Sequence, residues 1–402
     1  MGHTDHKADN LNKTLTLKDL VLFGVISIFG SGGFNLIGRA ITQGGPQWPL
    51  ALGGAAALFL GSSKTYEAAY REFKKNTSES DFLEKIFGPN ASYVTMASIL
   101  LFNFFSIATI LVLCVRMIVP DAPWLTQSVL AISLITFMGI FSLQGIAHNK
   151  VFVNFCSSAL VVILSAITLL GFGGAAGDAE RLEAVQPIKP LPTLPNTSLT
   201  QSFLYFFYIL AGFDVLMKFS EETKDPDDIP RSFYVSNSIA ILFVLGLTFA
   251  VITFTDLQKV KPLEHVIGEM LNNVTGYNVK NYFNVLAVFF MIVTMFVTFL
   301  ATTRYMYSLG DKYKSEYFTA LNENKAPVVP VALTTLLISV IVLINHVDIL
   351  VGFADIALGS FLFLVAAAAT VYKYQKGEIP VLEGLTASSF LGVFGASVWK
   401  QL

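Results

Sequence analysis

The sequence carries little charge and has no strong excess of either sign. Charged residues make up 13% of its 402 residues, and the formal net charge is -2, whereas a soluble globular domain carries about 25% charged residues. Because so few charges cannot cover an aqueous domain of this size, a lipid bilayer is the more natural solvent. The near-neutral balance also excludes the polybasic surface of a nucleic-acid-binding protein.

Cysteine and recognisable catalytic motifs are also scarce. Cys114 and Cys156 both lie inside apolar runs, and they form neither a disulfide framework nor a metal-ligand spacing. The motifs H-E-x-x-H, G-x-S-x-G and G-x-x-x-x-G-K-[ST] are absent from the sequence. We therefore expect no enzyme, no metal site and no cofactor. Without a nucleotide-binding loop, any pumping must use an ion or solute gradient.

Long hydrophobic runs are what the sequence has instead, since 54% of its residues are hydrophobic. A helix needs about 20 apolar residues to cross the hydrocarbon core of a bilayer. The runs predict an all-α polytopic membrane protein with about eleven transmembrane helices. Their approximate limits are 18–40, 48–71, 91–119, 125–145, 149–173, 199–220, 232–254, 281–308, 328–345, 348–374 and 382–399.

The segments between these runs carry further predictions. SESDFLEKIFG, at 78–88, is typical of an amphipathic helix, and LEHVIGEMLNN, at 263–273, of a short interfacial helix. The Pro-rich stretch 174–198 is too polar to span a bilayer and is predicted to be an extracellular connection. Roughly two-thirds of the Lys and Arg residues fall on the side of the N-terminus, which places the tail 1–17 in the cytoplasm. We expect the plasma membrane as the location.

Two of the runs contain interruptions near their middle. The first reads Ile28-Phe-Gly-Ser-Gly-Gly-Phe34, and each Gly in a helix costs roughly 1 kcal/mol relative to Ala. The sixth reads Leu210-Ala-Gly-Phe-Asp214, with a carboxylate inside the apolar run. Non-helical backbone at membrane depth is tolerated where it is buried in protein or lines a cavity. Freed N–H groups there favour an anion and freed carbonyls a cation, a combination that matches a zwitterion.

Interruptions at corresponding positions of two halves are the best sequence indication of a transporter site between inverted repeats. The breaks in spans one and six predict a LeuT-type 5+5 inverted repeat with discontinuous first and sixth helices. The two repeats are expected at 18–173 and 199–374, followed by an eleventh helix within 375–402. Close helix packing by small residues is the alternative explanation for the glycines of span one.

Four stretches resemble the amino acid–polyamine–organocation (APC) superfamily, and within it the amino acid permeases. They are LVLFGVISIFGSGGFNLIGRA, YREF with EKIFGP, FFYILAGFDVLMKFSEETKDPDDIPRSF, and TTRYMYSLGDKYKSEYFTALNENKAPVVPV. The G-F-D form in the sixth helix resembles the cationic amino acid branch. Some members carry a lysine in the fifth helix in place of a coupling cation, but none lies between Val151 and Phe172. A coupling proton and a coupling sodium ion therefore both stay open.

The resemblance implies which residues bind the substrate. The substrate carboxylate would meet the hydroxyl of Ser31 and the N–H groups of Gly32 and Gly33. The ammonium group would meet carbonyls of the first and sixth helices, at Ile28, Tyr208 and Ala211. The aromatic ring that covers the substrate matches Tyr208, beside the break at Gly212, and Phe213 would line the site or close it from one side.

Several polar residues inside the spans allow more than one interpretation. Asp214 could bind a second ammonium of a cationic substrate or take up a coupled proton, or it could cap the second half of span six. Asn103 lies at the depth of the site, where an interhelical hydrogen bond is the alternative. The resemblance implies that Thr302 and Thr303 could offer hydroxyls to sodium, and plain interhelical hydrogen bonds are the alternative.

Charged residues at the cytoplasmic end of span six form another candidate group. Lys218, Glu221 and Glu222 are predicted to form gating ion pairs, with Arg304 as one partner, and a solvated helix end is the alternative.

Taken together, these patterns predict a secondary active transporter that moves an amino acid by alternating access, with a polyamine as the alternative substrate. A sensor that keeps a permease fold without transport is the alternative from another functional class.

Overall fold

The computed structural model describes residues 11–29, 32–176, 198–257, 260 and 266–401. Within these ranges the chain is almost wholly helical and forms no β-strand. The tail 1–10, Gly30, Ser31 and nearly all of the predicted extracellular connection lie outside the described residues.

The first span consists of short helices rather than one long helix. Helix α1 covers Leu17–Phe29, α2 covers Gly32–Asn35 and α3 covers Ile37–Gly44. The rest of the first half of the chain continues through a 3-10 turn at Gly45–Gln47, α4 at Trp48–Phe73, α5 at Ser78–Phe87, α6 at Pro89–Ile118, α7 at Trp124–Ser142 and α8 at Ile146–Ala176.

The sixth span is interrupted as well. It consists of α9 at Leu199–Leu210 and a 3-10 helix at Phe213–Glu222, which we call the inner half of span six. The remaining helices are α10 at Asp228–Phe254, α11 at Val266–Thr275, α12 at Lys280–Lys312, α13 at Val328–Val342, α14 at Val347–Gln375 and α15 at Val381–Gln401.

These helices agree with the eleven predicted spans to within a few residues at every end. The predicted amphipathic helix is present as α5, and α11 covers part of the predicted interfacial helix. Seven described spans are long and apolar enough to cross a membrane by themselves. They are Pro89–Ile118, Trp124–Ser142, Ile146–Gly173, Leu199–Glu222, Asp228–Phe254, Lys280–Lys312 and Val347–Gln375.

The other four predicted spans are not both long enough and apolar enough to meet this criterion. The first is divided into short helices, and α4 carries charged residues such as Lys64 and Glu67. The apolar helices Val328–Val342 and Val381–Gly395 are shorter than the seven. Because seven other spans meet the criterion, the protein is an integral membrane protein.

The two interrupted spans lie together at the centre of the bundle. Helix α1 packs against α8, α10 and α12, and the inner half of span six packs against α1, α10 and α12. Helix α9 packs against α3 and α4. This arrangement surrounds the break of span six and the end of α1 with protein, which is the condition for irregular backbone at membrane depth.

Candidate functional site

The break in span six depends on one glycine. Helix α9 ends at Leu210, Ala211 is extended with φ −70° and ψ 149°, and Gly212 has φ 123°. Glycine adopts a positive φ without steric cost. A Cβ atom at Gly212 would lie 2.7 Å from the carbonyl oxygen of Ser27, in the last turn of α1. Gly212 therefore allows both the reversal of the chain and the close approach of the two interrupted spans.

The end of α1 is fixed by contacts on two sides. The hydroxyl of Thr294 in α12 donates a hydrogen bond of 2.7 Å to the carbonyl of Ile26. A Cβ atom at Gly33 would lie 2.6 Å from the ring of Phe29, so the chain after the break packs tightly on the last residue of α1. Since Ser31 lies outside the described residues, its predicted contact with a substrate carboxylate stays a prediction.

A cavity of about 1120 Å³ lies beside these breaks. It is bounded by α3, α6, α9, α12 and α14. It reaches the end of the bundle where α6 finishes and where α9, α12 and α14 begin. We call this the outer end, and the opposite end the inner end. The charged and polar residues of the lining are Arg39, Ser106, Thr109, Arg116, Gln201, Asn281, Asn284, Asp348 and Asp355, together with the tyrosines Tyr205 and Tyr208.

Tyr208 is the predicted substrate-binding residue that lines this cavity. Its hydroxyl is buried without a hydrogen-bond partner, and its carbonyl accepts a hydrogen bond of 3.2 Å from the N–H of Ala211. A buried hydroxyl left unpaired costs free energy. The tyrosine therefore offers an open hydrogen-bonding group to a solute.

The other described residues among the predicted substrate contacts are not part of the cavity's described wall. Ile28 and Asn103 are each 1% exposed, and the Oδ1 atom of Asn103 has no hydrogen-bond partner. The ring of Phe213 is in edge contact with Phe59, Tyr66 and Phe233. Gly33, Ala211, Gly212 and Asp214 are also absent from the described lining.

The inner end of the bundle is closed by two ion pairs that water does not reach. Arg304 of α12 donates from Nε to Glu222 at 3.1 Å, and both side chains are fully buried. Lys218 pairs with Glu79 of α5, and both of these side chains are also fully buried. The structure thus gives Arg304 the partner Glu222 and gives Lys218 a partner that the sequence did not indicate.

Asn76, in the turn between α4 and α5, connects three elements at the inner end. Its side chain donates to the hydroxyl of Ser308 at 3.0 Å. It accepts from the hydroxyl of Ser220 at 2.8 Å and from the N–H of Glu221 at 3.1 Å. Glu221, predicted to form a gating ion pair, here accepts a bond of 3.4 Å from the N–H of Asn76.

The start of the chain also binds the inner end. The N–H groups of Thr14 and Leu15 donate to the carbonyl of Glu222 at 2.9 and 3.0 Å. The backbone N–H of Lys224 donates to the carbonyl of Leu15 at 2.9 Å. Lys150 donates to the carbonyl of Thr14 at 2.8 Å. The segment before α1 is therefore part of the closed inner end.

The two threonines predicted near a sodium site have protein partners. Thr302 donates to the carbonyl of Thr298 at 2.7 Å. Thr303 donates to the carbonyl of Leu300 at 2.8 Å and accepts from Nη1 of Arg304 at 3.1 Å. Both hydroxyl protons are therefore hydrogen-bonded within α12, and only the lone pairs of the hydroxyl oxygens remain to coordinate a cation.

Four charged groups on the cavity wall, Arg39, Arg116, Asp348 and Asp355, were not predicted from the sequence. Asp348 and Asp355 lie seven residues apart on α14, and both face the cavity together with Arg39 of α3. The rule that identified Asp214, an ionisable residue inside an apolar run, applies equally to Asp355. The local sequence therefore held a signal for Asp355, whereas nothing in it indicated that α14 faces the cavity.

Comparisons with known proteins agree with this geometry. A family model described as amino acid permease matches residues 15–398. No protein with a curated function is significantly similar to the chain in sequence.

Among solved structures, a Na+-coupled sialic acid symporter in a substrate-bound outward-open state has a TM-score of 0.57 at 12% identity, over 96% of this chain and 91% of that one. The nucleobase-cation-symport-1 family transporter MHP1, in a closed conformation with bromovinylhydantoin bound, has a TM-score of 0.56 at 12% identity, over 92% and 81%. Identities this low establish the fold alone.

The match over nearly the whole length, the LeuT-type fold and the paired breaks beside a cavity lead to one conclusion. The chain belongs to the amino acid permease family, within the APC superfamily, and is a secondary transporter rather than an enzyme.

Proposed function

We propose that the chain carries an amino acid across the membrane by alternating access, and that the structure corresponds to an outward-facing state. The observation that carries the proposal is an asymmetry along the bundle. The cavity extends from the outer end to Tyr208, three residues before the break at Ala211, while buried ion pairs close the inner end. A transporter of this fold binds its solute at the breaks and moves one repeat against the other.

The peptide groups at the breaks supply the polarity that a zwitterion needs. Ala211 and Gly212 are outside both helical segments of span six, and helix α2 of span one begins at Gly32. Carbonyls at the end of a half-helix attract an ammonium group, and N–H groups at the start of one attract a carboxylate. The proposed substrate contacts are therefore those expected from the resemblance, with Ser31, Gly32 and Gly33 for the carboxylate and Ile28, Tyr208 and Ala211 for the ammonium group.

A cationic side chain on the substrate would need a carboxylate that faces the cavity. Asp214 is 1% exposed and is not part of the described lining, whereas Asp348 and Asp355 are. If the substrate is a cationic amino acid, the carboxylates of span ten, on a wall that also carries Arg39 and Arg116, are the candidates for its counter-charge in this proposal.

Orientation and location complete the proposal. The excess of Lys and Arg residues on the side of the N-terminus favours a cytoplasmic N-terminus. The outer end would then face the outside of the plasma membrane, and the repeats would be 18–173 and 199–374.

A thermal-shift screen of the purified protein tests the substrate class. A ligand at 100 times its Kd stabilises the folded state by about 2.7 kcal/mol. We expect at least one of the twenty amino acids to raise the unfolding temperature of the wild type. We expect Tyr208→Ala to lose that shift, while Tyr282→Ala, a tyrosine that is 80% exposed, keeps it.

Two results would contradict the proposal. The first is a wild type that unfolds cooperatively but is stabilised by no amino acid. The second is stabilisation by polyamines alone, because a polyamine has no carboxylate for the N–H groups of the first break.

A further inference from the structure

A cluster of ionisable side chains lies sealed between the inner half of span six, α4, α5 and α12. It consists of Asp214 and Lys218, Glu79 of α5, Tyr66 of α4 and Tyr305 of α12, each with at most 1% of its surface exposed. Lys218 pairs with Glu79, and its Nζ atom lies 5.0 Å from the centre of the Tyr305 ring. The cluster is separate from the lining of the cavity.

The charges in this cluster do not balance. It holds two carboxyl groups and a single ammonium, and Lys218 is the one described cation that acts on Asp214. Oδ2 of Asp214, Oε2 of Glu79 and the hydroxyl of Tyr66 have no hydrogen-bond partner. Helices α1 and α10, which also pack against the inner half of span six, add no described charge that acts on Asp214.

In the neighbouring ion pairs at the inner end, each carboxylate charge is balanced by a cation or solvated by water. Arg304 and Glu222 are buried in a one-to-one pair. Lys312 also binds two carboxylates, Asp81 and Glu84, but Glu84 is 45% exposed, so water solvates the additional charge. The cluster around Lys218 has neither form of compensation. Each of its two carboxyl groups accepts a backbone hydrogen bond, but one ammonium faces both, and a buried charge without a counter-charge is strongly unfavourable.

The missing positive charge has the character of a proton rather than a metal ion. A hard metal cation takes six or more oxygen ligands in most protein sites, and the Lys218 ammonium would repel it. Within the described part of the chain, no group of three or more His, Cys, Asp or Glu residues is placed to hold a metal. A proton needs only one carboxylate oxygen, and unpartnered oxygens are present on both carboxyl groups.

We propose that Asp214 and Glu79 share one exchangeable proton beside Lys218, which makes this cluster the coupling site of a proton-driven transporter. This inference rests on the proposed function. In the closed inner end, the proton forms an O–H bond on one carboxylate, and the other carboxylate balances Lys218. Burial raises the pKa of the Glu79 carboxyl, and the Lys218 ammonium opposes that shift.

Opening of the inner end supplies the release step. Glu79 lies on α5, a connecting helix, whereas Asp214 and Lys218 lie on span six. Movement of span six away from α5 would separate Lys218 from Glu79 and admit water to both carboxyl groups. Water solvates a second carboxylate, so the proton leaves on the inner side, and the next proton must enter from the outer cavity before the cluster is sealed again.

Infrared spectroscopy of the purified protein tests the shared proton without any substrate, as the difference between the spectrum of the wild type and that of each variant. We expect the wild type to give the carbonyl band of a protonated carboxyl group at neutral pH. Glu79→Gln and Asp214→Asn should each lose this band, because one carboxylate then balances one ammonium. Glu84→Gln, the same change on an exposed position of α5, should keep it. Absence of the band from the wild type, or its persistence in both variants, overturns the proposal.

Proton movement in proteoliposomes tests the coupling. The probe is an equimolar mixture of the twenty amino acids, added outside vesicles that contain a pH-sensitive dye, with the membrane potential clamped. We expect wild-type vesicles to acidify inside, and we expect Glu79→Gln to reduce this by about tenfold or more while Glu84→Gln does not. Amino acid uptake by the wild type without acidification overturns the proton proposal and leaves the proposed function standing. If neither uptake nor acidification occurs, both are overturned.

Discussion

At the residue scale, Gly212 connects the sequence to the site most directly. Its positive φ ends α9, and its missing side chain lets the chain lie against the carbonyl of Ser27. A φ of 123° is rare for any residue with a Cβ atom, and only glycine lacks that atom. The interruption of span six is therefore encoded in a single position.

Replacement of this glycine should be costly. In Gly212→Ala, the positive φ and the 2.7 Å approach of the new Cβ to Ser27 should destabilise the folded state by about 1–3 kcal/mol. The midpoint of thermal unfolding in detergent measures the effect. The control is Gly53→Ala, where a Cβ meets no atom within 4 Å, and which should be neutral or stabilising because Ala favours a helix. Equal midpoints for the two variants would contradict this account of the break.

At the element scale, the closed inner end is made by segments that are far apart in sequence. Asn76 joins the turn after α4 to the inner half of span six and to α12, and the segment before α1 adds backbone hydrogen bonds to Glu222. In the proposed transport cycle, these few contacts are exchanged as the inner end opens, while the helices themselves stay intact.

Removal of the Asn76 side chain should loosen these contacts. Asn76→Ala leaves the hydroxyls of Ser220 and Ser308 and the N–H of Glu221 without this partner, and each buried unpaired group costs about 1–3 kcal/mol. We expect backbone hydrogen exchange in 213–224 to accelerate by about tenfold or more. Asn273→Ala, at an exposed outer position, should leave that segment unchanged. Unchanged exchange in both variants would mean that Asn76 does not hold the inner end closed.

Local signals explain why the spans and the second break could be predicted. The length of an apolar run sets a span, and a glycine with a neighbouring aspartate marks a break, so both are visible within about twenty residues of sequence. The amphipathic pattern of α5 was visible for the same reason. The eleven predicted spans and α5 are confirmed by the helices of the structure.

The partners of the buried charges were not predictable in this way. Glu79 and Lys218 are 139 residues apart, and no pattern near either residue indicates the other. Asn103 illustrates a second difficulty, because it is fully buried but does not line the cavity. Helices that are apolar on every side do not reveal from hydropathy which face meets a cavity.

At the scale of the whole molecule, the two ends of the bundle differ in structure and in charge. The cavity reaches one end, and the other carries the ion pairs and the basic connections. In the proposed orientation, which follows the positive-inside rule, that second end faces the cytoplasm.

Cysteine labelling tests this orientation on a favourable background, because Cys114 and Cys156 are both buried. Tyr277 and Tyr317 lie just before and just after α12 and are 77% and 81% exposed. In intact cells, we expect a membrane-impermeant maleimide to modify Tyr277→Cys but not Tyr317→Cys until the cells are permeabilised. The reverse pattern would invert the proposed topology.

The central claim is that a solute binds beside the paired breaks and is released on the other side. Counterflow in proteoliposomes tests it most directly, with unlabelled amino acid inside and the same labelled amino acid outside, chosen from the thermal-shift screen. Our account predicts transient accumulation of label above the external concentration, with saturation, in the wild type and its loss in Tyr208→Ala. Binding without counterflow, as in a sensor, or unsaturable flux, as in a channel, would contradict it.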